Sequence, residues 1–95
     1  MLYRIFTENK NQELIECAVS KLYPGFTLIK GEGFWRLQKE DSLIIEIVTE
    51  DEDAKVEAVA KAIKELNIAY VLLIVDIRYD SSTKLFKSWV REVHN

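Results

Sequence analysis

Hydrophobic residues recur along this chain with two different periods, which divide it into strands and helices. Short runs rich in aromatic and β-branched residues predict strands at residues 2–6, 26–37, 42–49 and 69–78. Apolar residues at helical spacing predict a first helix that ends before Pro24-Gly25, and a second helix with Val56 and Ile63 on its inner face. The predicted order is therefore β-α-β-β-α-β.

Polar residues mark where each predicted helix begins. Asn9 and Gln12 have the spacing of a capping box at the first helix. Thr49 and Glu52 repeat that spacing at the second helix. The acidic run at residues 50–53 lies where the helix dipole favours negative charge, so we interpret it as a capped helix start and not as a metal site.

The end of the chain predicts a third helix. Ser81 or Ser82 is a favoured N-cap residue. The stripe that follows at helical spacing consists of Leu85, Phe86, Trp89, Val90 and Val93. We therefore expect an α+β protein whose single domain spans residues 1–95. Its fold would be a ferredoxin-like β-α-β-β-α-β antiparallel sheet with an additional C-terminal helix.

The third and fourth predicted strands are apolar on both faces. Residues 43–48 and 71–77 place isoleucine, leucine or valine at odd and even positions alike. Two helices cover one face of such a sheet, and a sheet that is apolar on both faces needs a second cover. Either the third helix or the sheets of neighbouring subunits must supply that cover.

The bulk composition narrows the classes of partner. Lys and Arg number 13 against 16 Asp and Glu, which argues against nucleic acid or an anionic membrane because phosphate binding depends on clustered cations. Cys17 is the single cysteine, so no intramolecular disulfide is expected. The N-terminal segment does not read as a signal peptide, and no apolar run approaches the roughly 20 residues that a bilayer requires. We expect a cytoplasmic protein.

Residues 30–35, KGEGFW, combine two glycines with two aromatic residues. Glycine inside a strand usually marks a bulge, a bend or a close backbone approach. The run superficially follows the pattern of an RNA-recognition strand, but Glu32 occupies an aromatic position of that pattern. A Gly-x-Gly pair is also weak evidence for a phosphate cradle, since the dinucleotide fingerprint requires a third glycine that opens a helix.

Several segments, taken in order, resemble a known superfamily. Pro24-Gly25-Phe26-Thr27 leads into a strand that contains Gly-x-Gly-Phe-Trp, a charged turn and an isoleucine-rich strand follow, and the chain closes on KSWVREV. From about Tyr23 onward the chain resembles the PII-like superfamily, and in loop length it is nearest to the CutA branch. The resemblance implies homotrimers whose sheets pack around a three-fold axis, with small ligands bound in the clefts between subunits.

The resemblance also implies where a ligand binds. The residues that correspond to the nucleotide-holding loop base of PII proteins are Gly31, Gly33, Trp35, Arg36 and Lys39. The loop is only a few residues long here, and residues 66–70 lack the Gly and Lys with which PII proteins bind phosphates, so ATP is not expected. The sole histidine, His94, is adjacent to the C-terminal residue and does not support copper binding. No cofactor and no metal site is identified.

Polar residues outside residues 31–39 give weaker evidence for a ligand site. Asp76 and Arg78 lie on one face near a strand end and form the best polar pair in the chain, which would either line a cleft or serve as an ion pair at the edge of the core. Trp35 and Trp89 are better suited to core or interface packing than to ligand stacking.

These observations predict a non-enzymatic protein, because neither a nucleophile with a base nor an acid–base pair is visible in the sequence. We expect a homotrimer that binds a small molecule or anion in its intersubunit clefts, as a sensor or to sequester the ligand. The ligand-binding residues would be those of the loop base together with Arg78. A structural or protein-interaction domain is the alternative, and an enzyme of undetected mechanism is a third. Neither nucleic acid nor a membrane is expected as a partner.

Overall fold

The computed structural model describes residues 1–50, 53–67 and 71–94. The elements in chain order are β1 (Leu2–Glu8), α1 (Gln12–Ser20), β2 (Thr27–Trp35), β3 (Gln38–Val48), α2 (Asp53–Leu66), β4 (Val71–Asp80) and β5 (Leu85–His94). The five strands of this described part form one antiparallel sheet in the order β2-β3-β1-β4-β5. The protein is therefore of the predicted α+β class.

The core lies between the two helices and one face of the sheet. Alternate residues of the central strands point toward the helices, and those that are fully buried include Tyr3, Ile5, Leu43, Ile45, Ile47 and Ile74. Ile15 and Val19 of α1 and Val56 and Ile63 of α2 are also fully buried, as the helical spacing predicts. Because strand side chains alternate, each core residue is flanked by residues on the other face.

The second face of the sheet is apolar as well, and neither helix packs on it. We call it the open face; its apolar residues are Leu2, Phe6, Ile29, Ile44, Val48, Val75, Ile77 and Val90. Phe6 is 37% exposed, Val90 62% and Val48 75%. Neighbouring strands contribute to it in register, since paired residues of an antiparallel ladder lie on the same face.

The prediction of a C-terminal helix is wrong, because residues 85–94 form the edge strand β5. All ten residues from Leu85 to His94 pair with β4 in register. Ser82 does not cap a helix: its N–H and its hydroxyl both donate to the Asp80 carboxylate, and the resulting Asx turn reverses the chain. Lys84 completes the turn at φ 60°. The backbone groups at the edge of β4 therefore form hydrogen bonds with residues 85–94, which the helical spacing of those residues does not reveal.

The predicted boundaries of the β2–β3 hairpin also need correction. The polar turn was expected at Gln38–Asp41, but all four of those residues belong to β3 and the turn consists of Arg36 and Leu37. Arg36 and Leu37 have φ values of 50° and 65°, the left-handed pair typical of a two-residue type I′ turn. The ladder continues in register through the Gly-x-Gly segment, so the glycines do not make a bulge.

The start of α1 differs from the prediction as well. The helix begins at Gln12 after Asn11, whose backbone is left-handed at φ 55° and whose side chain makes no capping bond. Asn9 instead donates its backbone N–H to the carbonyl of Asp41. Of the predicted cap of α2, Glu52 lies outside the described residues, as do Asp51, Ala69 and Tyr70. Within the described part, neither helix has the length and apolar content needed to cross a bilayer.

Candidate functional site

The residues predicted from the resemblance lie together at the end of the β2–β3 hairpin, residues 31–39, which we call the β2–β3 tip. Lys39 Nζ lies 2.8 Å from Glu32 Oε1, and both side chains are largely exposed. Phe34 is 72% exposed and Leu37 fully exposed. The side chain of Trp35 lies outside the described part. The tip thus combines exposed apolar and charged groups at one edge of the sheet.

The two glycines of the β2–β3 tip occupy regular strand positions. A Cβ atom on Gly33 would contact Ser42 Oγ across the strand pair, whereas one on Gly31 would meet nothing within 4 Å. Neither glycine has a positive φ. Because a phosphate cradle requires consecutive N–H groups that converge on one point, this extended ladder does not form one. Close packing against Ser42 across the strand pair explains why a glycine occupies position 33, whereas the surroundings of position 31 do not require one.

A second cluster lies on β4 and β5, and we call it the β4–β5 cluster: Asp76, Arg78 and Trp89. Asp76 is only 4% exposed. Arg78 donates Nε to both Asp76 oxygens at 3.1 Å and Nη2 to Oδ2 at 2.6 Å. The guanidinium carbon of Arg78 lies 5.5 Å from the centre of the Trp89 ring. The predicted pairing of Asp76 with Arg78 is confirmed, while its role toward a ligand stays a prediction.

The β4–β5 turn is closed by a second ion pair. Lys87 Nζ lies 2.6 Å from Asp80 Oδ2, and Lys87 is the direct cross-strand partner of Arg78. The ammonium of Lys87, followed by the hydroxyl and N–H of Ser82, holds the pKa of Asp80 well below its usual range. Asp80 is therefore ionised at neutral pH, and each of the two cations has a carboxylate beside it.

The β2–β3 tip and the β4–β5 cluster lie at opposite ends of the strands and toward opposite edges of the sheet. Ser42 pairs with Glu8 at one end of β1, and Lys39 lies three residues further out. Arg78 lies just beyond the partner of Leu2 at the other end. Ten residue steps at about 3.3 Å each separate the two sites by roughly 33 Å along the strands. One chain therefore cannot bring Lys39 and Arg78 to the same small ligand.

One ion pair crosses the middle of the open face. Arg4 Nε donates to Glu46 Oε2 at 2.9 Å, and this pair lies between the Leu2–Val48 and Phe6–Ile44 pairs on the same two strands. The two side chains are 41% and 24% exposed. The sequence contained the alternation that places them there, but only the register of β1 against β3 shows that they are direct neighbours.

Two polar residues on α2 and its C-terminal end were not singled out in the sequence. Asn67 is 7% exposed, and its amide donates to the Thr7 hydroxyl and to the Glu8 carbonyl, which ties the end of α2 to β1. Lys64 is 1% exposed, and its ammonium has no hydrogen-bond partner among the described residues. No sequence pattern marks either one, since both fall within an ordinary amphipathic helix and its end.

No group of three His, Cys, Asp or Glu residues in the described part is arranged to hold a metal ion. Cys17 lies exposed on α1 and belongs to neither cluster. The described geometry offers two sets of candidate residues, and each combines an arginine with acidic and aromatic side chains.

No protein-family model and no curated protein matches this sequence. Among solved structures, a phage SAM lyase in its apo state is similar, with a TM-score of 0.69 and 13% identity over 99% of this chain and 88% of that chain. A functionally unknown protein from Pediococcus pentosaceus ATCC 25745 matches with a TM-score of 0.48 and 12% identity, over 99% and 89% of the two chains. At such identities the likeness to the lyase shows a shared fold alone.

That likeness corrects the prediction that the chain is not an enzyme. The prediction depended on the lack of a recognisable nucleophile or acid–base pattern. A protein with the same fold over nearly the whole chain is described as a lyase. The missing pattern is therefore not an argument against catalysis in this architecture, and the non-enzymatic interpretation is wrong.

Proposed function

We propose that this chain is an enzyme that assembles as a homotrimer and acts on SAM (S-adenosylmethionine) or a closely similar small molecule in the clefts between subunits. The observation that carries the proposal is the open face, an apolar sheet surface that neither helix of the same chain covers. Its size, the placement of the two polar clusters and the fold each support one part of the proposal.

The size of the open face supports assembly. A central strand of seven residues and strand spacings of about 4.8 Å give the five-stranded face a plan area of roughly 500 Å². Part of that area belongs to the Arg4–Glu46 ion pair, and a largely apolar face of a few hundred Å² on a lone protein is usually a functional surface. The face alone supplies more than half of the roughly 800 Å² per partner that a standard interface buries.

The unit that assembles is, in our proposal, ferredoxin-like. Strands β2-β3-β1-β4 with α1 and α2 on one face supply the split βαβ arrangement, and β5 extends the sheet beyond β4. The sequence resemblance to the PII-like superfamily supports a trimer in which sheets face a common axis. With β5 in place of a helix, the open face retains no cover from its own chain's described helices.

The position of the two polar clusters supports a site shared between copies. They lie about 33 Å apart on one chain, at opposite edges. A head-to-tail cyclic assembly joins different surfaces of successive copies and closes after a fixed number of subunits. In such a ring the β2–β3 tip of one subunit meets the β4–β5 cluster of the next, which brings Arg36 and Lys39 together with the partner copy of Arg78.

SAM suits a protein without a visible acid–base pair. Its positively charged sulfur is already a good leaving group: when a nucleophile such as the carboxylate of SAM itself bonds to the adjacent carbon, the carbon–sulfur bond breaks, its electrons stay on sulfur, and the sulfur departs as a neutral thioether. No general acid has to protonate the leaving group. Catalysis then depends on holding the substrate in a reactive conformation and on excluding water, for which arginine and aromatic side chains suffice.

The test combines mass and turnover. Mass spectrometry under non-denaturing conditions is expected to find a trimer, and incubation with SAM is expected to deplete it as followed by liquid chromatography with mass detection. Arg36→Ala should slow the depletion without changing the oligomer mass. The matched control is Lys21→Ala, since Lys21 is exposed at the C-cap of α1 and belongs to neither cluster. A monomer that leaves SAM intact would contradict the proposal.

A further inference from the structure

We propose that the buried ammonium of Lys64 binds a small monocarboxylate between α2 and the neighbouring strand β5. Lys64 is 1% exposed, and its buried Nζ atom makes no hydrogen bond or ion pair within the described part of the chain. Lys64 belongs to neither the β2–β3 tip nor the β4–β5 cluster. The site therefore goes beyond the proposed function and does not depend on it.

The ammonium of Lys64 is in an unfavourable environment as long as it has no partner. Lysine is almost never fully buried unless it is paired. A lysine side chain normally covers apolar surface with its stem and extends the ammonium into water, which Lys64 does not do. Burial of a charge is costly unless a counter-charge and hydrogen bonds compensate it. A bound group that supplies a negative charge and accepts hydrogen bonds would remove this cost.

Lys64 lies on the side of α2 that faces β5. Glu57 precedes it by two helical turns on the same side of the helix. Oε2 of Glu57 lies 3.9 Å from Nη1 of Arg91, which belongs to β5. Val93 follows two residues later in the same strand and is 3% exposed. The site thus lies between the C-terminal half of α2 and the edge of the sheet that β5 forms.

The acidic residues of α2 do not compensate the charge of Lys64. Glu57 is shared by Arg91 and by Lys61, whose Nζ lies 3.8 Å from Glu57 Oε1. Glu65 follows Lys64 directly and is exposed, because consecutive residues of a helix point in different directions. The side of α2 that faces β5 therefore carries three cations, one of them from β5, against one carboxylate in the described part.

Charge and surroundings define the class of ligand. One monovalent anion neutralises one ammonium, whereas a dianion such as phosphate would leave a buried negative charge in its place. An ammonium has three donors, and a carboxylate accepts them with two oxygens in charge-assisted hydrogen bonds. The neighbouring residues Ile63 and Val93 are apolar and buried, so they offer no partners to further polar groups of a ligand. A small carboxylate such as formate meets these conditions.

The experiment measures thermal unfolding of the full chain in sodium formate, with sodium gluconate at equal concentration as the reference. Gluconate carries the same carboxylate on a much larger polar chain. Formate should raise Tm along a saturable curve, by roughly 10 °C at a hundredfold excess over Kd, and gluconate should not. Lys64→Met should lose the formate response. Without formate it should be at least as stable as the wild-type protein, because it removes an uncompensated buried charge.

Lys61→Met is the matched control, since Lys61 is an exposed lysine of the same helix and the substitution removes the same charge. This variant should keep the full formate response. If Lys64→Met fails to fold, NMR of wild-type protein with carbon-13-labelled lysine decides the question: the Cε resonance of Lys64 should shift with formate along a saturable curve, and that of Lys61 should not.

Equal formate responses in the wild-type protein and Lys64→Met overturn the inference. A wild-type protein that formate stabilises no more than gluconate does, or a Lys64 resonance that formate does not shift, overturns it as well. None of these outcomes involves turnover of SAM, so the proposed function is tested separately.

Discussion

If copies of the chain assemble through the open face, a single charged side chain introduced on that face should separate the subunits. Val48 lies at the end of β3 on the open face and is 75% exposed in the single chain. Lysine at this position therefore costs the isolated subunit little. In an assembly that buries the open face, the same lysine has to leave water or bend away from the interface.

The size of the effect follows from the exposed area. Full burial of a valine side chain contributes about 1.5 kcal/mol at the low end of its range. Three quarters of that is about 1 kcal/mol per subunit, or about 3 kcal/mol for three subunits. At about 1.4 kcal/mol per factor of ten, Val48→Lys should weaken trimer assembly by at least a hundredfold, and desolvation of the ammonium adds to this loss.

The assay is light scattering after size-exclusion chromatography, over a wide range of protein concentration. Val48→Lys should shift toward the single-subunit mass at concentrations where the wild-type protein remains assembled. Leu14→Lys is the matched control, because Leu14 is 54% exposed on the outer side of α1 and off the open face. The reasoning is refuted if the two variants show the same mass at every concentration, or if the wild-type protein is a single subunit throughout.

Two further predictions concern the hairpins. Gly33→Ala should destabilise the fold by about 1 kcal/mol relative to Gly31→Ala in urea unfolding, because only a Cβ at position 33 would meet Ser42 Oγ. Adding Ser42→Ala should remove most of that difference. Equal stability of the two single glycine variants would argue against tight packing at Gly33. At the other hairpin, folding lowers the pKa of Asp80 through the ammonium of Lys87, so the stability from this carboxylate is complete above about pH 4 and is lost as the pH falls through the folded-state pKa. Carbon-13 NMR titration should show the midpoint of Asp80 rising in Lys87→Gln, and an unchanged midpoint would contradict the assigned cause.

The candidate site was only partly accessible from the sequence. Asp76 and Arg78 are two residues apart in a strand, so their common face follows from local alternation. Trp89 joins them because β5 pairs with β4, which the helical reading of residues 85–93 excluded. The residues of the β2–β3 tip lie together because they are contiguous in sequence, and a continuous ladder and a two-residue turn replace the expected bend and polar turn.

Local spacing of apolar residues was sufficient to determine the four first strands, the two helices and most of the buried core, including Ile5, Ile45 and Ile63. A helix closes its hydrogen bonds within a few residues, and a half-buried strand shows its face by simple alternation, so both signals lie within a short window. The fate of residues 85–94 was different. Their spacing suits a helix, while their valine, tryptophan and phenylalanine side chains also suit a strand.

Only the tertiary structure decided between those alternatives, because a strand obtains its hydrogen bonds from a partner strand, whatever its distance in sequence. Here the free edge of β4 and the Asx turn at Asp80 supply that partner and its register. The same choice removed the helix that would have covered the sheet, and it left the open face without cover from either described helix. The two-sided apolar pattern was present in the sequence, but which side remains exposed depended on contacts between distant strands.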